Sequence, residues 1–112
     1  MSTDLLSRHC THGAAALDDA TIAALAAQVP DWTIADNRLV RKFSFRDYHE
    51  TLEFVNALAW MVHREDHHPL LEVGYNRCSA SWTTHSAGNR LSENDFICAA
   101  RLDALYAGRT GA

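Results

Sequence analysis

Apolar residues recur along the chain in two different periods, and the switches between them mark the elements. From Asp18 or Asp19, either of which can cap a helix, Ile22, Leu25, Ala26 and Val29 recur at helical spacing until Pro30 stops the run. Trp32 and Ile34 then alternate with Thr33 and Ala35, Asp36-Asn37 supplies turn residues, and residues 38–44 alternate again with β-branched and aromatic content. That pattern predicts a β-hairpin. Ser44 with Asp47 has the form of a capping box, and Tyr48, Leu52, Val55, Ala59 and Val62 follow as one helical stripe. Phe54, Leu58 and Met61 add a second stripe, more than one sheet contact requires, and the surplus predicts subunit packing.

Pro69 does not fit inside a regular helix and biases His68 away from helical geometry, so this long helix must end at or before His67-His68. Leu71, Val73 and Tyr75 alternate, Asn76-Arg77 can turn, and residues 78–85 return with Ser79, Ser81, Thr83 and His85 on one face. A second hairpin ending at His85 is expected. Residues 86–91 read as a loop. Ser92-Glu93-Asn94-Asp95 is another capping-box form ahead of Phe96, Ile97, Ala100, Ala104 and Leu105, in a last helix ending near Gly108. Residues 1–16 show no period and are expected to form an irregular N-terminal extension, residues 17–108 one packed domain, and residues 109–112 a tail. The order helix-strand-strand-helix-strand-strand-helix makes the fold class α+β.

At 112 residues the chain can bury one core, and 47% apolar against 21% charged residues is ordinary globular usage. A formal net charge of -4 gives no basic footprint for nucleic acid. The longest apolar stretches, residues 20–29 and 54–62, are too short to cross a bilayer, and no basic-then-apolar leader opens the chain. A soluble, cytoplasmic protein is the expectation. Cys10, Cys78 and Cys98 are odd in number and widely spaced, so neither a disulfide framework nor a CxxC pair is expected.

Histidine changes this bland picture. Four of the seven histidines fall between His63 and His85. Imidazole titrates closest to neutrality, so converging histidines can give and take protons without large tuning. His67 and His68 point in different directions whatever backbone they adopt and so should do different jobs. His85 can approach from the strand end, and Asp95 can orient an imidazole. Each residue also has a purely structural reading: His67-His68 as a polar helix terminus, His85 as a strand-end surface residue, Asp95 as a capping carboxylate, His63 as an exposed helix residue, Trp82 and Phe54 as core. A metal reading would use His63, His67, His85 and Asp95. It lacks the HExxH pattern, because Arg64 stands where the glutamate is needed. His9-Cys10-Thr11-His12 has metal-ligand residue types but no partner set.

Asp66-His67-His68-Pro69, Val73-Gly74-Tyr75-Asn76, Thr84-His85 and Leu91-Ser92-Glu93-Asn94-Asp95 together resemble the signature of the pterin-4a-carbinolamine dehydratase family (4a-hydroxytetrahydrobiopterin dehydratases). The resemblance extends to Trp32, the Phe43-Ser44-Phe45-Arg46-Asp47-Tyr48 stretch and the element order, roughly residues 17–106. It implies a four-stranded antiparallel sheet with helices on one face, assembled as homodimers or homotetramers. It implies a hydro-lyase that dehydrates a 4a-hydroxytetrahydropterin to quinonoid dihydropterin, with acid-base roles for His67 and His85 and substrate binding by His68 and Asp95. Pterin recycling for an aromatic amino-acid hydroxylase is the implied setting. The substrate supplies the electron push, so no metal or organic cofactor is expected. Animal members also serve as dimerisation cofactors for a transcription factor, which implies an alternative, protein-binding use of the helical surface. This chain departs from the family at Leu71, where an aromatic residue is common, and in a loop before Leu91 one residue longer than in the animal proteins.

Overall fold

Two antiparallel hairpins join edge to edge into one sheet that the helices cover. This computed structural model describes residues 3–108, and the expected tail at 109–112 lies outside the described residues. The elements are α1 (Thr3–Leu6), α2 (Asp19–Ala26), β1 (Thr33–Ala35), β2 (Arg38–Ser44), α3 (Tyr48–Glu65), β3 (Leu70–Val73), β4 (Arg77–Trp82), a 3-10 turn (His85–Ala87) and α4 (Glu93–Gly108). The sheet order is β1-β2-β4-β3, antiparallel throughout. The first hairpin closes through Asp36 and Asn37 at φ 52° and 60°, the two successive left-handed residues that a two-residue type I′ turn demands. The α+β class, the element order and the four-stranded antiparallel sheet all agree with the sequence reading.

Helix α3 starts one turn later than a Ser44 cap would place it. Asp47 is the N-cap, accepting from the Glu50 amide at 2.9 Å, while the Glu50 carboxylate reaches back to the Arg46 amide at 2.8 Å. The helix ends at Glu65, where Asp66 adopts a left-handed conformation (φ 54°) and returns its amide to the Val62 carbonyl. Its buried stripe is Thr51, Phe54, Leu58, Met61 and Glu65. The assignment of Phe54, Leu58 and Met61 to subunit packing is therefore corrected: at alternating intervals of three and four residues they face the chain's own core. The large apolar residues that α3 leaves exposed are Tyr48, Leu52 and Trp60, the last at 81%.

Helix α4 is buried on nearly every side over its first half, with Phe96, Ile97, Cys98, Ala99 and Leu102 at 0% exposure. The N-terminal segment supplies one of those covers: residues 7–18 carry no helix or strand, yet the segment is packed onto the domain. Leu5, in the single turn α1, is fully buried. The Arg101 guanidinium donates to the carbonyls of Leu6 and Arg8, and the Thr11 backbone and the Asn94 amide exchange two hydrogen bonds at 3.0 and 2.9 Å. Residues 8–12 thus form a strap across the end of α3 and the start of α4. Among the described residues no helix is long and apolar enough to cross a membrane.

Candidate active site

The α3–β3 connection and the β4–α4 connection emerge at the same end of the sheet, and each carries histidine. His67, His68 and His85 line one cleft of about 400 Å³, together with Arg38, Leu70 and Asn89. Pro69 forbids helix beyond His68 and Asp66 turns the chain out of α3, so two adjacent imidazoles stand where the backbone bends. His67 is largely buried and stacked on Trp82, with ring centroids 5.2 Å apart and planes 25° apart. His68 is exposed.

Behind His67, the side chains of Asp95, Thr84 and Ser92 form one hydrogen-bonded cluster. His67 Nε2 lies 2.7 Å from Asp95 Oδ1. The other carboxylate oxygen, Oδ2, accepts from the Ser92 amide at 2.9 Å and from the Thr84 hydroxyl at 2.8 Å. Thr84 spends its proton on Asp95, so the 2.6 Å contact between Thr84 and Ser92 must be donated by Ser92, whose oxygen in turn accepts the Asn94 amide. This donor chain is the reciprocal capping box read from Ser92 to Asp95, with Thr84 added from the preceding connection. With Asp95 as a carboxylate accepting at both oxygens, the proton between it and His67 is carried on Nε2, and Nδ1 stays outside that bond.

Asp95 is 0% exposed and does not line the cleft. Direct substrate binding by Asp95 is therefore corrected: the side chain stands behind His67, not beside it in the cleft. His85 also differs from expectation. Strand β4 stops at Trp82, and Thr84 makes an isolated bridge to Arg90 that pinches off residues 85–89 as a loop. His85 opens the 3-10 turn inside it, exposed, with Nδ1 3.0 Å from Asn89 Oδ1. Gly88 and Asn89 both take left-handed conformations (φ 75° and 59°), which lets so short a loop close. His63 does not line the cleft, and among the described residues no three His, Cys, Asp or Glu side chains are grouped as a metal site. His9 and His12 pair instead with Glu65 and Asp66, at 2.9 and 3.2 Å.

Sequence reasoning passed over Arg38, the cleft's one arginine, whose Nε donates to Ser81 Oγ. It also read Trp82 as core alone; the indole is core and is at the same time the floor for His67. Leu70 faces the cleft, and Leu71 packs against the core, so the departure at Leu71 does not leave a gap in the cleft wall. Next to the site, Glu65 is buried, which by itself raises a carboxyl pKa. The Cys10 amide, His9 and Arg101 outweigh that burial and hold the group below its ordinary value.

Residues 15–105 match the family model described as pterin 4 alpha carbinolamine dehydratase. A Chromobacterium violaceum protein carrying the provisional name pterin-4-alpha-carbinolamine dehydratase is 48% identical over 105 residues, covering 92% of this chain and 96% of its own. A Nitrosomonas eutropha protein with the same provisional name is 60% identical over 74 residues, 66% of this chain and 65% of its own. Among solved structures, a transcriptional coactivator/pterin dehydratase from Brucella melitensis superposes with a TM-score of 0.76 at 26% identity, over 81% of this chain and 98% of that one. A pterin dehydratase-like protein described as a RuBisCO assembly factor in the alpha-carboxysome gives 0.57 at 26% identity, over 67% and 86%.

Proposed function

Because the chain belongs to the pterin 4 alpha carbinolamine dehydratase family, we propose that it removes water from a 4a-hydroxytetrahydropterin to give quinonoid dihydropterin. The observation that carries this reading is the convergence of His67, His68 and His85 on one cleft, with a buried carboxylate behind the first of them.

Dehydration of a carbinolamine needs a proton delivered to the departing 4a hydroxyl and another taken from a ring nitrogen, while the ring itself pushes out the leaving group. His67 and His85 exchange those protons. Asp95 fixes the Nε2–H form of His67 and so presents Nδ1 for exchange, while Asn89 engages Nδ1 of His85 and leaves Nε2 for the same use. Asp95 is thus a positioning residue. His68 places the pterin ring, and Arg38, anchored through Nε on Ser81, offers its remaining N–H groups to the ring's carbonyl edge. Recycling of an oxidised pterin for an aromatic amino-acid hydroxylase is the setting that fits this chemistry.

The test follows, by ultraviolet absorbance, the decay of freshly generated 4a-hydroxytetrahydropterin against its spontaneous rate. Chelator-treated wild type should accelerate it, and folded His67→Ala and His85→Ala should each lose about 10²–10⁴-fold of that acceleration. A wild type no faster than the spontaneous rate overturns the proposal.

A second reading rests on Trp60, 81% exposed on α3 with Tyr48 and Leu52 on the same helix. Such an apolar surface fits docking of a protein, either a second copy in a homodimer or homotetramer or a different partner of the coactivator kind. Trp60→Ala that abolishes self-association or partner binding while turnover persists would separate this use from the histidine cleft.

A further inference from the structure

Outside the histidine cleft two cysteines 88 positions apart come together: Cys10 Sγ and Cys98 Sγ lie 3.5 Å from each other, within hydrogen-bond range for sulfur. Both are free thiols. Cys98 is sealed inside α4 at 0% exposure, one turn beyond Asp95, whereas Cys10 is half-buried on the strap. Cys10 also lines a second cleft, of about 480 Å³, with Thr11, His12, Arg64 and Asn94. A small solute can therefore reach one sulfur directly and the other only through it. Cys78, fully buried in β4, shares neither feature.

We propose that Cys10 and Cys98 are a modification site, closing to an intramolecular disulfide when a hydroperoxide enters the second cleft. The Cys10 thiolate attacks one peroxide oxygen. An S–O bond forms, the O–O bond breaks, and the released hydroxide leaves as water after taking a proton, so that Cys10 is oxidised to the sulfenic acid and the peroxide is reduced. The Cys98 sulfur then attacks the Cys10 sulfur. An S–S bond forms, the S–O bond breaks, and the Cys98 proton departs with the hydroxyl as a second water. Two thiols and one hydrogen peroxide give one disulfide and two waters. The order is imposed by access and by acidity: the hydrogen bond that the Cys98 thiol gives to Cys10, then burial, push the Cys98 thiol far up, so Cys10 supplies the thiolate.

To reach bonding distance the sulfurs must close by about 1.5 Å. That movement falls to the strap, whose Cys10 is held by the Glu65 carboxylate and a long contact to the Asn94 carbonyl, rather than to the packed helix. The product fastens the strap covalently beside the helix turn that holds Asp95.

The test treats reduced full-length protein with equimolar hydrogen peroxide, quenches with an alkylating reagent, and maps the peptides. The expected result is loss of two of the three thiols, a mass lower by two hydrogen atoms, a Cys10–Cys98 linked peptide, a raised Tm, and reversal by dithiothreitol. Cys98→Ser should stop at a sulfenic acid on Cys10 that a 1,3-dione reagent traps, while Cys78→Ser should still form the bond. Three intact thiols, a sulfinic acid on Cys10 beside reduced Cys98, or disulfide-linked dimers would each overturn the assignment. The decisive readouts come from the wild type, so none depends on a variant folding.

Discussion

Asp95 receives three donors and has no exposed surface, which fixes what its replacement should do. Asp95→Asn keeps the size but gives the buried cluster an extra donor, so His67 loses its enforced tautomer. We expect kcat to fall by about 10²–10⁴-fold with KM little changed, in steady-state assays of the folded variant. A rise in KM at constant kcat would instead restore Asp95 to the substrate surface. Arg38 should show the opposite signature. Its side chain lines the cleft without touching the histidines' hydrogen-bond partners, so Arg38→Ala should raise KM by roughly tenfold, the loss of one charged hydrogen bond, and leave kcat nearly intact. At this scale the sequence marked the three histidines that share the cleft, because histidine is rare and its spacing to Pro69 is informative. It did not mark Arg38, since one arginine opening a strand looks like any solvated charge until Ser81 and the cleft surround it.

Elements whose identity rests on local signals were legible, and those that rest on distant partners were not. Pro69, the Asp36-Asn37 turn and the Ser92–Asp95 box act within a few residues, and the helix end, hairpin and α4 start stand where they predict. The stripe on α3 was visible, but which of two stripes meets the sheet depends on packing. Residues 83–85 continue the strand alternation, yet the Thr84–Arg90 bridge overrides it and diverts His85 into a turn. The strap gave no periodic signal because its hold is made by Glu65, Asn94 and Arg101, more than fifty residues away in sequence. Its pH response follows from Glu65. That carboxyl has a lowered pKa in the folded chain, so its contribution is complete above the ordinary value of 4.5 and is lost as pH falls below it. Hydrogen exchange should show the Cys10 amide protected at pH 6 and opening below about pH 4, ahead of amides in β2 and β4. Uniform opening of all three would mean that Glu65 holds no separable element.

Across the whole molecule, the N-terminal segment is a structural layer and not an appendage. Leu5 is as buried as any residue of the sheet, so Leu5→Ala should cost about 2–5 kcal/mol, read as a lower midpoint in urea. A loss below about 0.5 kcal/mol, the range of surface changes, would return residues 3–8 to the status of an extension. The strap has a further consequence in time. Arg8, Cys10 and Thr11 are made before their partners Glu93, Asn94, Cys98 and Arg101, which lie far downstream in the chain. Asp95, which His67 needs, arrives with them. A nascent chain can pair its hairpins, and bring Cys10 to Glu65, before residues 93–101 are made, but the contacts of the strap with α4 wait for that stretch. The strap's contacts to α4 and the Asp95 contact of His67 therefore both wait on one stretch of chain, residues 93–101.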